Sequence, residues 1–101
     1  MPRAQPSTDP GPAPPSEIEL LSAAQRALGS SPAETLRLAE EHRRLYRGGM
    51  HAQEREVLAI DALLRLDRRP EALERANAFL GRHARSAHAR RVRVLLSEAG
   101  L

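Results

Sequence analysis

The sequence predicts an all-α chain: a helical-solenoid fragment of about five helices in antiparallel helix–turn–helix repeats, after a disordered, proline-rich N-terminus. Three observations predict it. Apolar residues recur at 3.6-residue spacing from Ser16 onward, the mark of amphipathic helices. β-Branched residues are few and never alternate, so no strand is expected. The apolar pattern also returns after 37 or 38 residues, as stacked helix pairs require.

The 101 residues suit one small domain, residues 16–101, with residues 1–15 as a linker. Cysteine is absent, which excludes disulfides, thiolate metal sites and cysteine nucleophiles. Tyr46 and Phe79 are the only Phe, Tyr or Trp residues, too few for a platform on which single-stranded nucleic acid stacks. No apolar run approaches the roughly 20 residues of a membrane span. No apolar signal segment is read at the N-terminus.

Each element follows from local chemistry. Residues 1–15 hold six of the eight prolines. Proline fixes φ and lacks a donor N–H, so an extended, polyproline-like spacer is expected there. Ser16 and Glu19 fit a capping box that opens the first helix. Leu20, Leu21, Ala24, Ala27 and Leu28 form its stripe, and Gly29 is the expected stop. Ser31, Pro32 and Glu34 combine a second capping box with proline at the first helical position. The second helix sets Thr35, Leu38, Ala39, His42, Leu45 and Tyr46 on one face and ends at Gly48-Gly49. A third runs from about Ala52 to Leu66 with Val57, Leu58, Ala62, Leu63 and Leu66 inward. Its wealth of Leu and Ala suits a helix packed on both sides, near the centre. Asp67-Arg68-Arg69 turns the chain, and Pro70 starts a fourth helix through Ala72, Leu73, Ala76, Phe79 and Leu80. A fifth, from about Ala87 to Glu98, carries Val92, Leu95, Leu96 and Ala99 inward and stops at Gly100.

The repeat is the most informative feature. At a shift of 37, Glu34 falls on Glu71, Leu36 on Leu73, Ala39 on Ala76, His51 on His88, Val57 on Val94 and Leu58 on Leu95. His42 falls on Phe79 and Tyr46 on His83, so those positions keep a ring. At 38, Leu20 falls on Leu58, Ala24 on Ala62 and Pro32 on Pro70. One amphipathic pair cannot hide its apolar face, and stacking a second makes a continuous core. This two-helix unit, with small residues at Ala24, Ala39, Ala62 and Ala76, resembles the tetratricopeptide (TPR) repeat. The stretches His42–Gly49 and Phe79–Ser86 resemble the degenerate variant at the C-terminal end of bacterial cell-envelope proteins. The family's leading aromatic is missing from every first helix, and Arg47 and Ala84 stand where its closing proline would be. The resemblance implies a protein–protein interaction or scaffold module, with a groove lined mainly by the first helices of each pair. It also implies that the chain is the tail of a larger envelope protein, with residues 1–15 as its spacer. As written, the sequence reads as cytoplasmic; as the tail of an anchored protein it reads as periplasmic.

Catalytic and metal chemistry find little to use. The four histidines lie at separate junctions, whereas zinc needs three or four converging ligands. His42, aligned with Phe79, reads as a packed interior histidine; His51 and His88 recur at one repeat position and read as local cap or turn residues. The serines have no nucleophile motif, and no glycine-rich phosphate loop occurs. The expectation is therefore no enzyme, no cofactor, no metal and no small-molecule substrate. The partner expected is another protein or peptide, with self-association as a variant.

All sixteen basic residues are arginine, and the net charge is +3. Residues 82–101 carry Arg82, Arg85, Arg90, Arg91 and Arg93 against Glu98 alone, so the excess lies at the chain's end. These five arginines form the candidate basic surface. They define the alternative reading, a small nucleic-acid-associated protein that holds phosphates through its last helix.

Overall fold

The computed structural model describes residues 13–101. Residues 1–12, most of the expected spacer, lie outside the described residues. Among the described residues the fold is all-α, with no strand: α1 Glu17–Ala27, α2 Pro32–Leu45, α3 Ala52–Arg65, α4 Arg69–His83 and α5 Ala87–Glu98. No helix among them is long and apolar enough to cross a membrane.

The ends of the helices follow their capping chemistry, with two departures. The first capping box forms: the Glu19 N–H donates to Ser16 Oγ at 3.1 Å and the Ser16 N–H to Glu19 Oε1 at 2.8 Å. The second does not. Ser31 makes no side-chain cap bond, and Glu34 instead accepts from Arg37 Nε and Nη2 at 2.8 and 2.7 Å. A guanidinium offers two charged donors in a fork, and the carboxylate prefers them to one neutral N–H. The second departure concerns glycine. Gly100 takes the left-handed conformation (φ 76°) and ends α5, with the Leu101 N–H on the Leu96 carbonyl and the Gly100 N–H on Ser97. The same paired bonds close α3, but there the left-handed residue is Asp67 (φ 58°), with Arg68 N–H on Leu63 and Asp67 N–H on Leu64. Gly29 is not left-handed; α1 ends instead with the Ala27 carbonyl accepting from both Ser30 and Ser31 N–H.

Each helix packs on its neighbours in sequence, and α3 also packs on α1 and α5. Short connections return the chain each time. α1, α3 and α5 form a row, with α2 packed on α1 and α3 and α4 packed on α3 and α5, a packing consistent with a repeat. Residues 37 apart take matching places: Thr35 and Ala72, Ala39 and Ala76, His42 and Phe79 are all buried. The His42 ring lies 5.6 Å from Tyr46, and Phe79 lies 5.0 Å from His83, both tilted.

The core has two clusters. Leu21 and Ala24 of α1 and Leu28 at its end meet Leu58 and Ala62 of α3. Ile60 of α3 meets Ala76 and Phe79 of α4 and Ala89, Val92, Leu95 and Leu96 of α5. The buried arc of α3 is therefore wider than its Leu/Ala stripe. Ala59 and Ile60 are fully enclosed, Arg55 and Asp61 are buried, and Val57 and Leu66 are only half-buried.

A buried hydroxyl also joins α1 to α2. The last carbonyls of a helix lack intrahelical partners, and the fully buried Thr35 hydroxyl donates to the Ala24 carbonyl at 2.8 Å. Thr35→Val keeps the shape and removes the donor. It should destabilise the fold by about 1–2 kcal/mol, measured by urea denaturation.

Candidate functional site

The row α1–α3–α5 carries a groove of about 580 Å³. Its sides come from one face of each helix: Ile18, Leu21 and Ser22 of α1, Val57 and Leu58 of α3, His88 and Arg91 of α5. The groove is apolar along α1 and α3, with Ile18 more than half exposed. Arg26, Arg91 and His88 stand at its polar positions with a single carboxylate, Glu54.

Two charged groups of the groove, Arg91 and Glu54, are held by neighbours. Arg91 Nη2 lies 3.6 Å from Asp61 Oδ2, and Asp61 Oδ1 accepts from Arg65 Nε at 3.0 Å. Asp61 thus links α3 to α5. At the opposite end His51 Nδ1 lies 2.6 Å from Glu54 Oε1. This hydrogen bond chiefly, then the Glu54 and Glu17 charges, hold the His51 imidazole above its ordinary 6.5 despite some desolvation.

Glu17 fixes α1 against the start of α3. Its Oε1 accepts from the His51 N–H and from His42 Nε2, both at 3.0 Å. The His51 N–H belongs to the turn that opens α3, where backbone donors lack partners. That bond chiefly keeps the Glu17 carboxyl below its ordinary 4.5. Gly49 makes the arrangement fit. A Cβ there would lie 2.2 Å from Glu17 Oε1 and 3.0 Å from the Tyr46 carbonyl. Tyr46 Oη in turn donates to the Pro15 carbonyl at 2.7 Å, so the last residue of the expected spacer is tethered to α2.

His42 is fully buried. With Arg55 Nη1 at 3.4 Å from its Nδ1, the ring carries hydrogen on Nε2, the atom facing Glu17. Arg55 Nε donates to Glu56 Oε2 at 3.0 Å, and Arg75 grips Glu56 from α4 and Glu40 from α2. Burial pushes the Glu56 carboxyl up, but Arg75 and Arg55 together bring it below 4.5. A polar chain thus runs from α1 through α2 and α3 to α4.

The five C-terminal arginines take different surroundings. Arg91 lines the groove, and Arg82 lines a separate cleft beside α4. Arg93 Nη2 donates to the Ala84 carbonyl at 3.3 Å, just past α4. Arg85 and Arg90 are exposed and form no ion pair among the described residues. Sequence reading passes over Ile18, Glu17 and Arg55. Ile18 lies off the buried stripe, and Glu17 and Arg55 look like ordinary members of charged helix faces. Among the described residues no three histidines or carboxylates are placed to hold a metal ion.

No family model matches the chain, and neither the curated proteins nor the solved structures compared with it provide a match.

Gly49→Ala should lower Tm by roughly 4–8 °C. In a Glu17→Ala background part of that loss should vanish, because the nearer of the two clash partners is gone while the Tyr46 carbonyl remains; differential scanning fluorimetry of the four proteins measures the coupling. The groove edge also carries a pH signature. Glu17, lowered, contributes stability above pH 4.5 that is lost as pH falls through its folded pKa. His51, raised, contributes stability below pH 6.5 that is lost as pH rises through its folded pKa. An NMR titration should place His51 above 6.5, and Glu54→Gln should bring it down.

Proposed function

We propose that the chain is a non-catalytic protein-interaction module of the TPR type, and that its groove receives a peptide segment. The supporting observation is the groove across α1, α3 and α5, the first helices of each pair. Ile18, Leu21, Val57 and Leu58 offer apolar contact to such a segment, and Arg26 and Arg91 offer charge to an acidic side chain beside it. A peptide that buries apolar side chains there gains roughly 25 cal/mol for each Å² removed from water, with the arginines setting orientation. The alternative, phosphate binding by Arg82, Arg85, Arg90, Arg91 and Arg93, has to work from residues that share no cleft: Arg82 and Arg91 line different ones, and the other three line neither.

A photo-crosslinker separates the faces. Benzoylphenylalanine at Ser22, inside the groove, should trap a discrete partner in source cells, whereas the same residue at exposed Ala33 of α2 should not. Equal trapping at both positions would sink the groove reading. Adducts lost between about 50 and 200 mM salt in extracts would instead indicate phosphate contacts.

A further inference from the structure

On the other flank of α3, away from the groove, a second cleft of about 550 Å³ opens between the α2–α3 turn and α4. Its charge is one-sided. Arg43, Arg47, Arg55, Arg75 and Arg82 line it with one carboxylate, Glu56. Arg55 and Arg75 share that carboxylate. Arg43, Arg47 and Arg82 form no ion pair among the described residues. Three cations therefore stand in one cleft whose single carboxylate is held by two other arginines.

Arg55 adds an independent observation. Its side chain is only 8% exposed. A guanidinium has five N–H donors. Nε uses one on Glu56 at 3.0 Å, and Nη1 reaches His42 Nδ1 and the Arg47 carbonyl at 3.4 Å each, the long limit of a hydrogen bond. Nη2 has no acceptor among the described residues. A buried charged donor without an acceptor is costly, and this one belongs to a wall of the cationic cleft.

We propose that this cleft binds a small molecule carrying a phosphate or diphosphate group, whose oxygens accept from Arg55 Nη2 and from the heads of Arg43, Arg47 and Arg82. Phosphate fits better than a lone carboxylate. Several guanidinium forks line the cleft, and a phosphate group offers three oxygens and close to two charges where a carboxylate offers two oxygens and one. A small molecule fits better than a nucleic-acid strand. The volume falls within the roughly 300–1,000 Å³ of small-molecule sites, and the donors gather in a cleft instead of tracking along a helix. Ala52, Ala78 and Phe79 contribute apolar wall for the rest of the ligand. This site is separate from the peptide groove, and neither reading depends on the other.

Calorimetric titration with inorganic pyrophosphate at about 50 mM salt tests the proposal. Saturable one-to-one binding is expected. Arg47→Ala and Arg82→Ala remove exposed side chains and should each weaken it about tenfold. Arg37→Ala and Arg90→Ala, exposed arginines outside the cleft, should leave it unchanged; circular dichroism checks that all four variants keep their helices. No saturation by about 10 mM pyrophosphate overturns the proposal. So does equal weakening by Arg90→Ala, which would show general attraction to a basic protein. If citrate binds as tightly, phosphate is not the recognised group. If duplex DNA displaces pyrophosphate and binds more tightly through Arg47 and Arg82, the site is a nucleic-acid contact and the small-molecule assignment fails.

Discussion

Close helix approach through alanine is the constraint on which the other contacts depend. Ala24, Ala39, Ala59, Ala62, Ala72, Ala76 and Ala89 have no exposed surface at all. Axial separation between packed helices is set by the side chains at the contact, and a methyl group permits the near end of the range. Short polar side chains can then reach across. Thr35 reaches a carbonyl of α1, and Glu17 reaches the first turn of α3. With one phenylalanine, one tyrosine and no tryptophan, the chain has little large aromatic area to bury. Directional bonds between closely set helices supply part of the cohesion that aromatic packing gives elsewhere.

α3 carries the consequences. It meets α1 through Leu58 and Ala62, meets α4 and α5 through Ile60, and presents different side chains to each cleft. Glu54, Val57 and Leu58 face the groove, and Ala52, Gln53, Arg55 and Glu56 line the cationic cleft. Buried on several sides, this helix still holds Arg55 and Asp61, because each buried charge meets a partner on its own helix and reaches another element as well. Such charges are costly alone and tolerable when bonded. They fix which helix lies beside which.

The helices themselves were legible because each amphipathic stripe is a local pattern. The boundaries at Ser16, Pro32 and Gly100 were legible for the same reason: a cap is decided within four residues. Gly29 and the Ser31–Glu34 box misled for an instructive reason. A glycine permits a left-handed residue but does not require one, and Asp67 took that conformation instead. Glu34 had a better local partner in Arg37 than the backbone it was expected to cap. The exposed Ile18 was not legible, since a stripe analysis counts what is inward. The polar chain from Glu17 to Arg75 was hidden altogether. Its members are separated by up to 58 positions, and no periodicity connects them.

Charge shows the same separation between linear and spatial order. Counted along the chain, residues 16–50 hold five arginines and five glutamates and appear neutral, and the excess falls on residues 82–101. In space the neutrality of the first stretch is uneven. Glu34 and Glu41 are each taken by an arginine three residues on, Arg37 and Arg44. Glu17 is drawn to His42 and His51, and Glu40 to Arg75. Arg43 and Arg47 are left facing a cleft that also receives Arg55, Arg75 and Arg82 from two other helices. Four of the five arginines in the densest positive surroundings therefore come from residues 16–81, which carry no basic excess, and only Arg82 comes from the visibly basic tail. Local ion pairing, by removing the acidic residues one by one, is what creates the cationic cleft.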